Sequence, residues 1–180
     1  MTSEQRPLGS TWRTTPELIR RASLADASTD FDDEPFTEWL RLSGVYSPRT
    51  VARWRAGAVA ELPIGEGWDV VILPLSEGWS SLRHLRTVGA SVGPVLHSSR
   101  GVEFLVPVGS ATRWDLRGAV VRSRPEVLLA PVPSVVAPRT HEALTWLAPP
   151  RSAPTLTDAD DLYGAYAAAL ALLGSARKGW

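Results

Sequence analysis

Five consecutive residues, Asp69-Val70-Val71-Ile72-Leu73, restrict this chain more than any other stretch. Four are apolar and three are β-branched. Gly65 and Gly67 bound the run on one side and Pro74 on the other. Such a run between breakers predicts a strand buried on both faces. Downstream, Ser76 is placed to cap a helix, Trp79, Leu82, Leu85 and Val88 recur every three residues as its apolar face, and Gly89 can end it. Val95 to His97 and Val102 to Val106 read as two strands joined by the turn Ser98-Ser99-Arg100-Gly101. The unit from Trp68 to Val106 is therefore β-α-β-β, and the other elements are expected to pack around it in an α+β fold.

The flanking sequence supplies those elements. Residues 1–14 are polar, contain Pro7 and Gly9, and are expected to fray. Residues 15–174 are expected to form one domain, and residues 175–180 a flexible C-terminus. Thr15-Pro16-Glu17 has the pattern of a helix start, and Asp26 to Glu34 that of an acidic, solvated linker. Pro35 to Leu42 predicts a helix stopped by Gly44. Ser47-Pro48 starts another, with Val51 and Trp54 on one side and Arg49, Arg53 and Arg55 on the others. That interleaving of Arg and Trp could grip a nucleic-acid backbone and stack a base; the simpler reading puts Trp54 in the core and the arginines in water. Ala58 to Ile64 reads as an edge strand because Pro63 cannot donate to a ladder. Gly118 to Val121 and Glu126 to Ala130 read as strands around the turn Arg122-Ser123-Arg124-Pro125. Ala143 to Ala148 is a last strand. Thr157-Asp158-Ala159-Asp160 has capping-box spacing before a helix running to about Leu173, which packs through Leu162, Tyr163, Tyr166, Leu170 and Leu173.

Composition excludes several chemistries. The chain has no cysteine, which removes disulfides, thiolate metal sites and thiol catalysis. Its formal net charge is zero, so any nucleic-acid surface has to be a local patch. Lys178 is the only lysine; codon bias in a GC-rich genome is the simpler reading of the Arg excess, with a selected phosphate-binding surface as the alternative. No apolar run approaches the roughly 20 residues needed to span a bilayer, and MTSEQRPLGSTW lacks the apolar core of a signal peptide. The expectation is a cytoplasmic protein with no membrane partner and no cofactor.

No enzymatic motif stands out. His84, His97 and His141 have no partner at metal-ligand spacing, and there is no Walker A sequence, no Gly-x-Ser-x-Gly elbow and no dinucleotide fingerprint. His97, at a strand end beside Ser98 and Ser99, is the best placed of the histidines for a site.

Read together, several segments resemble the N-terminal domain of bifunctional DNA primase/polymerases, the prim-pol branch of the archaeo-eukaryotic primase superfamily. The resemblance covers roughly residues 36–173. It runs through Trp39, Trp54, Pro63-Ile64-Gly65, Trp68-Asp69-Val70-Val71, Gly93-Pro94-Val95, Ser98-Ser99-Arg100-Gly101, Phe104-Leu105-Val106-Pro107, Leu128-Leu129-Ala130-Pro131 and Leu144-Thr145-Trp146-Leu147. It implies an RRM-like core, with a mixed β-sheet and flanking helices. It also implies two metal-binding acids, one residue apart, on the central strand. The matching positions hold Ile72 and Pro74, neither of which can ligate a cation, and Glu103 stands where the family has a histidine. The cysteine motif of longer relatives is absent.

The resemblance thus implies a degenerate, noncatalytic domain that binds nucleic acid, a nucleotide or a replication partner. Its site would lie beside an open face formed by the central strand and the hairpin. There His97, Ser98, Ser99 and Arg100 would offer N–H, O–H and guanidinium donors to phosphate. Two alternatives stand beside it. An active nucleotidyltransferase would need displaced acids, for which Asp69, Glu103 and Asp115 are the candidates, although Asp69 is three residues early and so turned to the other strand face. A protein-interaction module would need no ligand at all.

Overall fold

The computed structural model describes residues 33–151 and 153–177. The expected helix at Thr15 and the expected frayed segment before it lie outside the described residues. The first described element, α1 (Asp33–Leu42), begins inside the expected acidic linker and buries Trp39 and Leu40. Gly44 ends the turn after it at φ +73°, a conformation that a Cβ would strain. Helix α2 (Pro48–Arg55) starts with Pro48 in the first turn, where a missing N–H costs nothing. It buries Thr50, Val51 and Trp54 and turns Arg49, Arg53 and Arg55 outward. Trp54 is therefore a core residue. Its Nε1 donates to the Ala130 carbonyl at 3.1 Å, while Trp146 Nε1 donates to the next carbonyl, Pro131, at 3.0 Å.

Two sheets follow. Strands β1 (Ala60–Pro63) and β6 (Val127–Ala130) form an antiparallel ribbon, pairing Leu62 with Leu128 and Ala60 with Ala130 on its buried side. The main sheet has the order β5-β2-β4-β3-β7, with β2 (Asp69–Leu73), β3 (Val95–Ser98), β4 (Gly101–Val106), β5 (Val120–Arg122) and β7 (Thr145–Ala148). All five positions of β2 and all six of β4 are buried, as the continuous apolar run at Asp69–Leu73 predicts for a central strand.

The sheet is entirely antiparallel rather than mixed. The crossover helix α3 (Leu75–Thr87) returns β3 in the direction of β2, but the hairpin strand β4 inserts between them and pairs antiparallel with both. A second difference concerns β5 and β6. They flank one turn, yet β5 pairs with β2 and β6 with β1, so the turn at Ser123–Glu126 carries the chain from one layer to another.

Successive residues of β2 serve two separate cores, as the period of a strand requires. Val70 and Ile72 join Leu96, Leu105 and Trp146 under α1, α2 and the ribbon. Val71 and Leu73 join Val95, Val102, Phe104 and Val106 under α3 and α4 (Ala159–Arg177). The molecule from α1 onward thus has three layers with the sheet in the middle, and the sheet face expected to be open is covered.

The two helices on the second face, α3 and α4, depart from the sequence expectation. Pro74, not Ser76, is the residue before α3, and no side chain caps it. The buried face of α3 is Gly78, Ser81, Leu82 and Leu85, whereas Trp79 is 44% and Val88 61% exposed. Small residues bring the helix close to the sheet: a Cβ on Gly78 would lie 2.6 Å from Val102 Cβ. Helix α4 is capped by Asp158, whose Oδ1 accepts from the Asp160 and Asp161 N–H groups at 2.9 and 3.0 Å. Thr157 is instead buried, and its Oγ1 accepts from Gly93 N–H at 3.0 Å. The helix passes Gly174 and continues to Arg177. Among the described residues, no helix is long and apolar enough to cross a membrane.

Candidate functional site

The hairpin between β3 and β4 positions the residues that the sequence singles out. Ser98 pairs with Gly101, which leaves Ser99 and Arg100 as the exposed turn. Gly101 holds φ +136°, and a Cβ there would meet the Leu73 carbonyl oxygen at 2.2 Å, so the end of β2 and the start of β4 fit only around glycine. Alternation along β3 turns Leu96 and Ser98 to one face and His97 to the other, beside its partner Val102. His97 is therefore separated from Ser98 by the sheet itself.

Glu103 lies between two strands. Its register partners are Ile72 on β2 and Leu96 on β3, and its side chain is fully buried. A carboxylate there requires donors. Ser98 Oγ donates a hydrogen bond to Glu103 Oε1. Arg100 donates through Nε to Oε1 at 3.3 Å and through Nη2 to Oε1 and Oε2 at 3.2 and 3.3 Å. Arg100 N–H in turn donates to Ser98 Oγ at 3.1 Å. Of the four residues read as a phosphate cradle, Ser98 and Arg100 are thus directed at the protein's own carboxylate, Ser99 is exposed in the turn, and His97 lies on the other face.

The three acids weighed as catalytic do not converge. Asp69 is buried on the face opposite Glu103, with Oδ2 accepting from Gly109 N–H at 2.7 Å and Oδ1 without a partner. It secures the turn after β4. Asp115 is exposed beside α4 and accepts from Tyr163 Oη at 3.2 Å. That hydrogen bond, with smaller contributions from desolvation and the Asp115 charge, raises the Tyr163 pKa above its usual value.

The divalent metals implied by the resemblance do not fit these residues. Ile72 and Pro74 offer no donor atom, Glu103 already bonds to Ser98 and Arg100, and two-metal chemistry needs several carboxylates on one face. Among the described residues, no group of three His, Asp or Glu side chains could hold a metal ion.

Among the described residues, several surface hollows lie elsewhere. One, of about 510 Å³, is lined by Arg86, Gly93, Pro94, Leu147, Pro149 and Arg151, among others. Another, of about 490 Å³, runs along the outside of α3 and includes Trp79, Arg83 and Arg86. A third, of about 360 Å³, is bordered by Tyr46, Arg49 and Arg53 but also by Glu61 and Glu66. The three-residue repeat places Trp79 on the apolar face of α3, whereas the structure exposes it. Gly78 and Ser81 are the sequence signal that the buried face is rotated towards smaller side chains. No protein-family model, curated protein or solved structure matches this chain.

Proposed function

We propose that this domain is a degenerate relative of the primase/polymerase superfamily that binds single-stranded nucleic acid or nucleotide without transferring nucleotides. The resemblance over residues 36–173 supports the relationship. So does the strand order β5-β2-β4-β3 with α3 crossing between β2 and β3, an arrangement compatible with an RRM-like core.

One observation carries the noncatalytic part of the reading. At the position where the resemblance implies a metal-binding acid, Ile72 faces Glu103, and Glu103 is ion-paired with Arg100 and hydrogen-bonded by Ser98. Phosphoryl transfer depends on positioning and on neutralising charge with metal held by carboxylates. Here the carboxylate and the guanidinium satisfy each other. A replication protein is the alternative partner, and the ligand-free interaction module is the reading left if no polynucleotide binds.

The test is primer extension on a single-stranded template with magnesium or manganese, alongside fluorescence anisotropy with labelled oligonucleotide. Binding without extension is expected. Extension that disappears in Asp69→Ala, Glu103→Ala or Asp115→Ala would establish the nucleotidyltransferase alternative. Absence of both extension and low-salt binding would overturn nucleic-acid binding.

A further inference from the structure

We infer that the outer face of α3 and the adjoining hollow form the track for a single-stranded polynucleotide, an inference that rests on the nucleic-acid-binding reading above. The sheet cannot serve as the reading face, because Leu96, Leu105 and Trp146 on one side and Val95, Phe104 and Val106 on the other are buried under the outer layers. The polynucleotide therefore has to lie outside a covering layer.

The α3 surface has the composition such a ligand needs. Ser76, Trp79, Ser80, Arg83, Arg86 and Thr87 line its hollow, and none is acidic. Arg86 also borders the 510 Å³ hollow, which adds Arg151 and again contains no acid. The two hollows thus share one arginine and present three guanidinium groups in a chain whose formal net charge is zero. None of the three is ion-paired among the described residues. Arg86 Nη2 donates to the Leu147 carbonyl at 2.8 Å, which ties the guanidinium to β7 at the junction of the hollows.

Trp79 supplies the second component. Trp39, Trp54, Trp68 and Trp146 are at most 2% exposed, whereas Trp79 is 44% exposed one helical turn before Arg83. From Trp79 to Arg86 the helix advances about 10 Å, enough to set an aromatic surface and two charges along one strand. A basic groove beside an aromatic platform is how sequence-tolerant single-strand binding arises, with stacking on the ring and phosphates on the guanidiniums. Charge complementarity with a polyanion selects this occupant over an apolar peptide.

The experiment uses the full chain, labelled oligothymidine and oligouridine, and anisotropy from low to moderate salt, with intrinsic tryptophan fluorescence recorded in parallel. Binding that weakens with salt is expected, with a log–log slope of roughly 2 for three neutralised phosphates. Arg83→Ala with Arg86→Ala should weaken binding at least about tenfold, and Trp79→Ala should do so roughly five- to a hundredfold and abolish the fluorescence change. Arg139→Ala, an exposed arginine outside both hollows, serves as the surface control. Thermal melts of each variant separate lost binding from lost folding, and Arg83→Gln with Arg86→Gln provides a second, milder pair. Equal binding of the two oligomers assigns the track to single strands generally, and preference for one names the polymer. Binding that responds to Arg100→Ala but not to Arg83, Arg86 and Trp79 would overturn the location while leaving nucleic-acid binding intact. No binding of either oligomer at low salt would overturn both.

Discussion

Ile72 and Glu103 are direct register partners across β2 and β4, so a fully buried carboxylate sits beside a branched aliphatic side chain in the middle of the sheet. This is tolerable only because the two residues after Ser98 fold back: Ser98 and Arg100 supply a hydroxyl and a guanidinium to the carboxylate. The hairpin thus has a structural role that is independent of any ligand.

Arg100→Ala should therefore destabilise the fold, because Glu103 would stay buried with only Ser98 as donor. A fully buried broken pair costs about 3–5 kcal/mol. Arg100 is 42% exposed, so water screens the interaction and a loss of about 1–3 kcal/mol is expected. Glu103→Leu combined with Arg100→Met should recover most of that loss, since no uncompensated charge remains. Urea unfolding midpoints measure both. Equal stability of Arg100→Ala and wild type would mean that water replaces the guanidinium at no cost.

The close approach of α3 to β4 gives a second expectation. Alanine normally improves a helix interior over glycine by about 1 kcal/mol. At Gly78 the added methyl would meet Val102 Cβ at 2.6 Å and Cγ2 at 2.8 Å. Overpacking of that kind costs about 1–3 kcal/mol, so Gly78→Ala should be neutral to destabilising instead of stabilising. A clear rise in the thermal midpoint would show that α3 can shift away from the sheet.

The contact of α4 with the same sheet face should be graded along the helix. Leu162 and Tyr166 are fully buried, whereas Leu170 is only partly buried at the edge of the core. Leu162→Ala should cost about 2–5 kcal/mol and Leu170→Ala distinctly less, because the exposed part of Leu170 already contacts water. Thermal melts of the two variants under identical conditions decide this. Equal losses would place Leu170 deeper in the core than its exposure indicates.

Local chemistry explains which features were legible in the sequence. The run Asp69–Leu73 is unambiguous because a β-branched stretch between breakers has few alternatives, and Gly89 and Gly44 mark helix ends by positive φ. Pairing partners were not legible. Nothing in Val120–Arg122 and Val127–Ala130 announces that adjacent strands enter different sheets, since that choice is made by long-range burial of Leu128 and Ala130. The cap of α4 shifted from Thr157 to Asp158 because Thr157 answers a distant donor, Gly93, which spacing cannot show. In the hairpin, the sequence displays Ser98, Arg100 and Glu103 as separate polar residues. Only the register on Ile72 and Leu96 makes them one neutralised group.

Tyr166 provides a pH dependence with a defined sign. Its ring is buried under α4, and its Oη donates to the Arg117 carbonyl at 2.7 Å. Burial, and then the nearby Glu77 charge, raise its pKa above the usual tyrosine value of about 10. The unfolded chain therefore loses this proton before the folded chain does. Stability linked to Tyr166 is fully present below about pH 10 and is lost as pH rises from there through the raised folded value. The chain has no cysteine and a single lysine, so few other groups titrate in that window. Tyr166→Phe should cost about 1 kcal/mol at neutral pH through the lost hydrogen bond, and should flatten the alkaline decline. Tyr163→Phe should change the decline less, because that phenol bonds to Asp115 at the surface. Urea midpoints across an alkaline series, with phenolate absorbance followed in the folded protein, provide the measurement. Parallel loss of stability in wild type and Tyr166→Phe would remove Tyr166 as the cause.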